Sequence, residues 1–83
     1  MKKFLHVTKV AYLRDFILEI NFNDGLVGEM DFSGELGGEI YQPLKDKMYF
    51  SQVYLNPDTE TIEWPNGADF APEYLHEKVR VLV

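Results

Sequence analysis

Phe16-Ile17-Leu18-Glu19-Ile20-Asn21-Phe22-Asn23-Asp24-Gly25-Leu26-Val27-Gly28-Glu29-Met30-Asp31-Phe32 is the stretch that decides the fold. Phe16, Leu18, Ile20 and Phe22 fall on one side of an extended chain, and Ile17, Glu19 and Asn21 on the other. A period of two with large apolar residues on one side reads as a half-buried strand. Asn23-Asp24-Gly25 then supplies residues that tolerate the positive φ of a tight turn, which predicts a hairpin. Beyond it, Leu26, Gly28, Met30 and Phe32 share one face, and Val27, Glu29 and Asp31 the other. Glu19, Glu29 and Asp31 therefore meet on the outer face of one hairpin. Like charges across strands repel, so an offset is expected from Arg14, from the lysines of the preceding segment, or from a partner.

Upstream, Phe4 to Tyr12 is rich in Val, Leu, Tyr and Thr and suits a first strand. Downstream, the three glycines within Ser33–Gly38 mark a bent loop. That loop lacks the lysine and helix start of a phosphate cradle, and carries Glu35 with Glu39 just after it. Pro43 to Phe50 predicts one or two short helical turns, with Pro43 at the first helical position and Leu44, Met48 and Tyr49 packing on the sheet. Val53-Tyr54-Leu55 and Thr61 to Trp64 form a second hairpin around Asn56-Pro57-Asp58-Thr59. A second helix is predicted from Pro72 to Glu77, since Ala71 precedes a proline and is biased away from helical dihedrals. Val79, Val81 and Val83 then alternate as an extended tail able to join a sheet edge, its own or a neighbour's.

The 83 residues are read as one domain, 1–83, of α+β class. The expected architecture is a mainly antiparallel sheet of about five strands in two hairpins, with two short helices on one face. Six Phe, five Tyr and Trp64 give a small chain large buried areas. With no cysteine, disulfides and thiolate metal sites are excluded, and a cytoplasmic location needs no oxidising compartment. No apolar run approaches the ~18 residues of a membrane span or forms a signal region. The net charge of −6 is unevenly spread. Residues 16–40 carry Glu19, Asp24, Glu29, Asp31, Glu35 and Glu39 and no basic residue, so direct nucleic-acid binding is disfavoured.

The second informative stretch is Trp64-Pro65-Asn66-Gly67-Ala68-Asp69-Phe70-Ala71-Pro72-Glu73-Tyr74-Leu75. Together with Asn23-Asp24-Gly25 and Tyr41-Gln42-Pro43-Leu44, it resembles the small bacterial family catalogued as domain of unknown function 2442, over about residues 5–77. The resemblance implies an α+β domain and no assigned reaction. Some members of that family are followed by a helix-turn-helix domain, and many are encoded beside another small protein. It thereby implies a regulatory or antitoxin-like role. Because this chain ends at Val83, DNA binding through an appended domain does not carry over.

Three readings of the signature follow. In the structural one, Trp64 anchors the core, Pro65-Asn66-Gly67 sets a turn, and the Asp69 carboxylate accepts from the Ala71 amide as a cap; substituting the surface residue Asn66 is then without functional effect. In the second, Trp64, Asn66, Asp69 and Tyr74 form a recognition surface for a small protein partner or a peptide, tryptophan and tyrosine being common binding anchors. In the third, Asp69, Glu73 and His76, with Glu77 nearby, make a carboxylate–histidine metal site or a hydrolase centre. Two histidines in all are few for zinc, and no nucleophile motif surrounds Ser33 or Ser51. No catalytic residue, metal ligand or cofactor is therefore assigned. The expectation is a non-enzymatic interaction module, with self-association through Val79, Val81 and Val83 as a secondary expectation.

Overall fold

The alternation of residues 16–32 becomes the centre of a sheet in the computed structural model, which describes residues 4–81. Strand β1 (Val7–Arg14), β2 (Ile17–Phe22) and β3 (Val27–Asp31) form an antiparallel meander, and the two-residue β6 (Arg80–Val81) adds to its β3 edge. Leu18, Ile20, Phe22, Gly28 and Met30 are buried, while the alternate residues stay partly exposed, so one sheet face makes the core. The registers Leu18↔Met30 and Ile20↔Gly28 place like faces together across the hairpin.

Its turn spans Asn23-Asp24-Gly25. Gly25 N–H donates to the Phe22 carbonyl at 3.1 Å and Phe22 N–H to the Leu26 carbonyl at 2.9 Å, with Gly25 at φ +93°. This is a three-residue connection whose last position is left-handed, where glycine carries no Cβ penalty. The Asp24 carboxylate accepts from Leu26 N–H at 3.0 Å and locks it. The two-residue link between β1 and β2 places Asp15 at φ +47°.

The α+β class is as expected, but the strands divide between two sheets. β4 (Tyr54–Asn56) and β5 (Thr61–Glu63) pair separately, joined by residues 57–60. As the sequence indicated, Asn56 bonds forward, accepting from Asp58 N–H at 2.8 Å. The connection is one residue longer than a plain four-residue turn, and Glu60 absorbs the extra residue at φ +59°.

The first helical region also differs. A 3₁₀ segment, Glu39–Lys45, places Pro43 inside it, and the one-turn helix α1, Lys47–Phe50, follows. The break falls at Asp46, whose carboxylate accepts from Met48 N–H and starts α1 anew. That restart turns Met48 outward, leaving it 79 % exposed, and Phe50 takes its expected place in the core. Leu44 is buried and Tyr49 partly so, as the spacing predicted. Helix α2, Pro72–Lys78, begins at Pro72 as expected.

Leu18, Ile20, Phe22, Met30 and Phe32 of the meander share one buried cluster with Leu36, Leu44, Phe50, Ile62, Trp64, Phe70 and Leu75. Both helices and the second sheet thus lie on one side of the first. The tail adds to the chain's own sheet, with Gly28↔Val81 and Glu29↔Arg80 in register. Gly28 makes this possible: a Cβ there would lie 2.8 Å from Val79 Cβ and 2.9 Å from the Arg80 carbonyl oxygen. Val83, like Lys2 and Lys3, falls outside the described residues.

Candidate functional site

The signature folds into an elbow built like the first hairpin turn. Gly67 N–H donates to the Trp64 carbonyl at 2.8 Å and Trp64 N–H to the Ala68 carbonyl at 2.9 Å, with Gly67 at φ +89°. The Asn66 side-chain oxygen accepts from Ala68 N–H at 3.1 Å. Phe22-Asn23-Asp24-Gly25-Leu26 and Trp64-Pro65-Asn66-Gly67-Ala68 are therefore the same turn, with Asp24 and Asn66 in equivalent positions. The chain after the second turn runs back along β5: Asp69 bridges Glu63, and Thr61 Oγ1 donates to the Phe70 carbonyl at 2.6 Å. The same forward bond, from a side-chain oxygen to the amide two residues on, recurs at Asp31 with Ser33 and at Asp46 with Met48. Several side chains that read as a charged surface are turn locks.

Asp69 is not one of them. Its expected bond to Ala71 is absent: helix α2 starts at the Ala71 cap without a side-chain acceptor. The bridge to Glu63 holds Asp69 in a strand pairing and not in a turn, and Pro72 at the first helical position removes one of the amides such a cap would serve. The Asp69 carboxylate stays at the surface, while its carbonyl accepts from the Tyr41 hydroxyl at 2.9 Å.

The other signature residues separate by depth. Trp64 is fully buried, and its indole N–H donates to the Phe50 carbonyl at 2.8 Å. Its ring is a framework element and reaches no solvent. Asn66 is exposed, yet its amide nitrogen donates to the Ile40 carbonyl at 2.9 Å and ties the elbow to the 3₁₀ segment. Asn66 thus has a structural role that its surface position concealed. Tyr74 is half-buried, and its hydroxyl donates to the Glu35 carboxylate. That bond, with burial second, raises the Tyr74 pKa above the ordinary 10.0.

Residues not picked out as site residues from the sequence complete the surface. Tyr41 stacks on Phe70 at 4.9 Å between centroids and 15°, and Phe70 on Tyr74 at 6.1 Å and 16°. The Lys78 ammonium lies 5.6 Å from the Tyr74 centroid, closing the stack. The four-residue helical spacing of Tyr74 and Lys78 was the one local signal for this. Tyr41 and Glu35 come from distant segments with no comparable signal.

The carboxylate–histidine grouping does not form. His76 Nε2 lies 2.8 Å from Asp24 Oδ2, and its ring packs edge-on against Phe22 at 4.9 Å. It is a tie between α2 and the first hairpin turn. Among the described residues no three His, Asp or Glu side chains are placed to hold a metal ion. No helix of the described residues is long and apolar enough to cross a membrane.

The fold and elbow define a small α+β domain of two antiparallel sheets in which a tryptophan-centred turn leads from the second sheet into α2. The chain belongs to the family described as "Protein of unknown function (DUF2442)", whose model matches residues 7–80. No curated protein and no solved structure matches it.

Proposed function

We propose that this protein is a non-enzymatic interaction module with a regulatory or antitoxin-like role, whose partner is a small protein. One observation carries the reading: the buried side chains of the meander lie on one face, and the opposite face is left as open sheet. Ile17, Glu19, Asn21, Val27 and Glu29 alternate with the buried residues and remain partly exposed. Glu19 and Glu29 stand directly opposite one another there. Such a pair is destabilising in isolation. Arg80 stands opposite Glu29 on its other side and offsets part of this repulsion, whereas Glu19 has Ala11 on its other side, so contact with a basic surface would offset the rest. The exposed elbow residues Asn66 and Asp69, with half-buried Tyr74, supply a second contact surface held rigidly by buried Trp64.

The hydrolase or metal reading loses its support where His76 is engaged by Asp24. Self-association through the tail stays a secondary part of the proposal, checked by light scattering at micromolar concentration with and without residues 79–83. A pure monomer in both cases removes it.

The main test is affinity capture of the tagged protein from its native host, in parallel with the Glu19→Lys/Glu29→Lys and Asp69→Lys/Tyr74→Ala variants. A stoichiometric small protein that one of these pairs releases supports the module. Absence of such a protein, or capture unaffected by both pairs, overturns it.

A further inference from the structure

A cleft of about 390 Å³ crosses the open face of the meander and runs over the end of β3 to the C-terminus of α2. It is lined by Arg14, Ile17, Glu29, Asp31, Lys78 and Arg80, together with Met30 and Glu35. Sheet register fixes its charge pattern. In one row, Arg80 lies directly opposite Glu29, which faces Glu19 on its other side. In the next, Asp31 is opposite Ile17, and Ile17 is opposite Arg14. Carboxylates therefore occupy the middle of the cleft and cations its two rims.

The rims are not equivalent. Arg80 has the carboxylate of Glu29 as its cross-strand neighbour, and the Lys78 ammonium sits by the Tyr74 ring. Arg14 has apolar Ile17 as its cross-strand neighbour. The salt-bridge contacts among the described residues join Lys47 with Asp15 and, where the histidine is protonated, His6 with Glu60 and His76 with Asp24, and none includes a cation of the cleft. Asp31 is held in its charged form, below its ordinary pKa, chiefly by the Ser33 N–H. The Cα atoms of Asp31 and Arg14 lie two strand spacings apart across the sheet, roughly 10 Å. An extended tripeptide reaches at most roughly 10 Å from end to end.

We infer that this cleft binds a short peptide by its free ends, the ammonium resting on Asp31 and the carboxylate on Arg14. The inference stands apart from the small-protein partner. A lone anion would meet the central carboxylates, and a lone cation would leave Arg14 unmatched; a ligand bearing both charges at tripeptide spacing satisfies each.

Triglycine tests this in a backbone-amide NMR titration of the full chain. Saturable shifts at Arg14 and Asp31 are expected, with N-acetyl-triglycine amide producing none. Arg14→Gln should weaken binding at least about tenfold, a loss of roughly 1.4 kcal/mol, and Arg80→Gln less. The dispersion of each variant's spectrum reports that it is folded. Absence of shifts at tens of millimolar triglycine, equal shifts with the capped peptide, or equal shifts with acetate alone would each overturn the inference. Failure here leaves the capture experiment untouched, because that reads a different ligand.

Discussion

Trp64 donates its indole N–H to the carbonyl of Phe50 at 2.8 Å, and both residues are completely buried. Their rings also lie 5.5 Å apart. One hydrogen bond thus fastens the elbow between the second sheet and α2 to the end of α1. The Trp64→Phe variant keeps much of the apolar volume but leaves the Phe50 carbonyl with the Val53 N–H, at 3.3 Å, and without the indole donor, at an expected cost of about 0.5–1.5 kcal/mol. Trp64→Ala adds a cavity and should cost about 3–5 kcal/mol, enough to unfold much of a domain this small. Urea denaturation followed by far-UV circular dichroism measures both. Equal stability of Trp64→Phe and the wild type would show that the bond contributes nothing.

Gly28→Ala should detach the tail. The added methyl meets Val79 Cβ at 2.8 Å and the Arg80 carbonyl at 2.9 Å, and one contact is with backbone that has no rotamer to change. The expected loss is about 1–3 kcal/mol, accompanied by faster amide exchange at Arg80 and Val81. Unchanged exchange there would refute the close approach as the reason for glycine.

Asn66→Ala removes the acceptor for Ala68 N–H and the donor to the Ile40 carbonyl at once. A loss of about 1 kcal/mol is expected for an exposed turn lock. Asn66→Asp keeps the acceptor and loses the donor, so its denaturation midpoint should fall between those of the alanine variant and the wild type. An alanine variant as stable as the wild type would return Asn66 to the role of a bare surface residue.

Acid should loosen the first hairpin turn. Asp24 is held below its ordinary value of 3.8, first by the Leu26 N–H and then by the His76 side chain. A carboxyl depressed in the folded chain contributes stability above its unfolded pKa, and that contribution disappears as pH falls through the folded value. The urea midpoint should therefore drop below about pH 4, and less steeply in Asp24→Asn, which removes the titrating group. Parallel slopes in the two proteins would exclude Asp24 as a source.

At the alkaline end the sign reverses. Tyr74 is raised above 10.0, mainly by its bond to Glu35, and burial raises Tyr41 as well. A raised group contributes stability below its unfolded pKa and loses it as pH climbs through the folded value. Phenolate absorbance should show a late-titrating fraction that shrinks in Tyr74→Phe. A single transition at the ordinary value would contradict the Tyr74–Glu35 bond.

The strands of the meander, the Asp24–Gly25 turn, the Asn56 turn and the start of α2 at Pro72 were legible in the amino-acid order. Each is governed by neighbours within a few positions: side-chain alternation, a residue suited to positive φ, a proline without an amide. The long-range ties were not. Nothing local shows that the Asn66 amide reaches the Ile40 carbonyl, or that Asp69 caps nothing. Nor does any local pattern bring Glu35 to Tyr74, His76 to Asp24, or Arg14 to the same cleft as Arg80. Those pairings join segments that approach only after apolar faces have been buried and the sheets have taken their registers. Local chemistry therefore determined which elements this chain makes, and tertiary packing decided which of its polar groups became fastenings and which were left facing water.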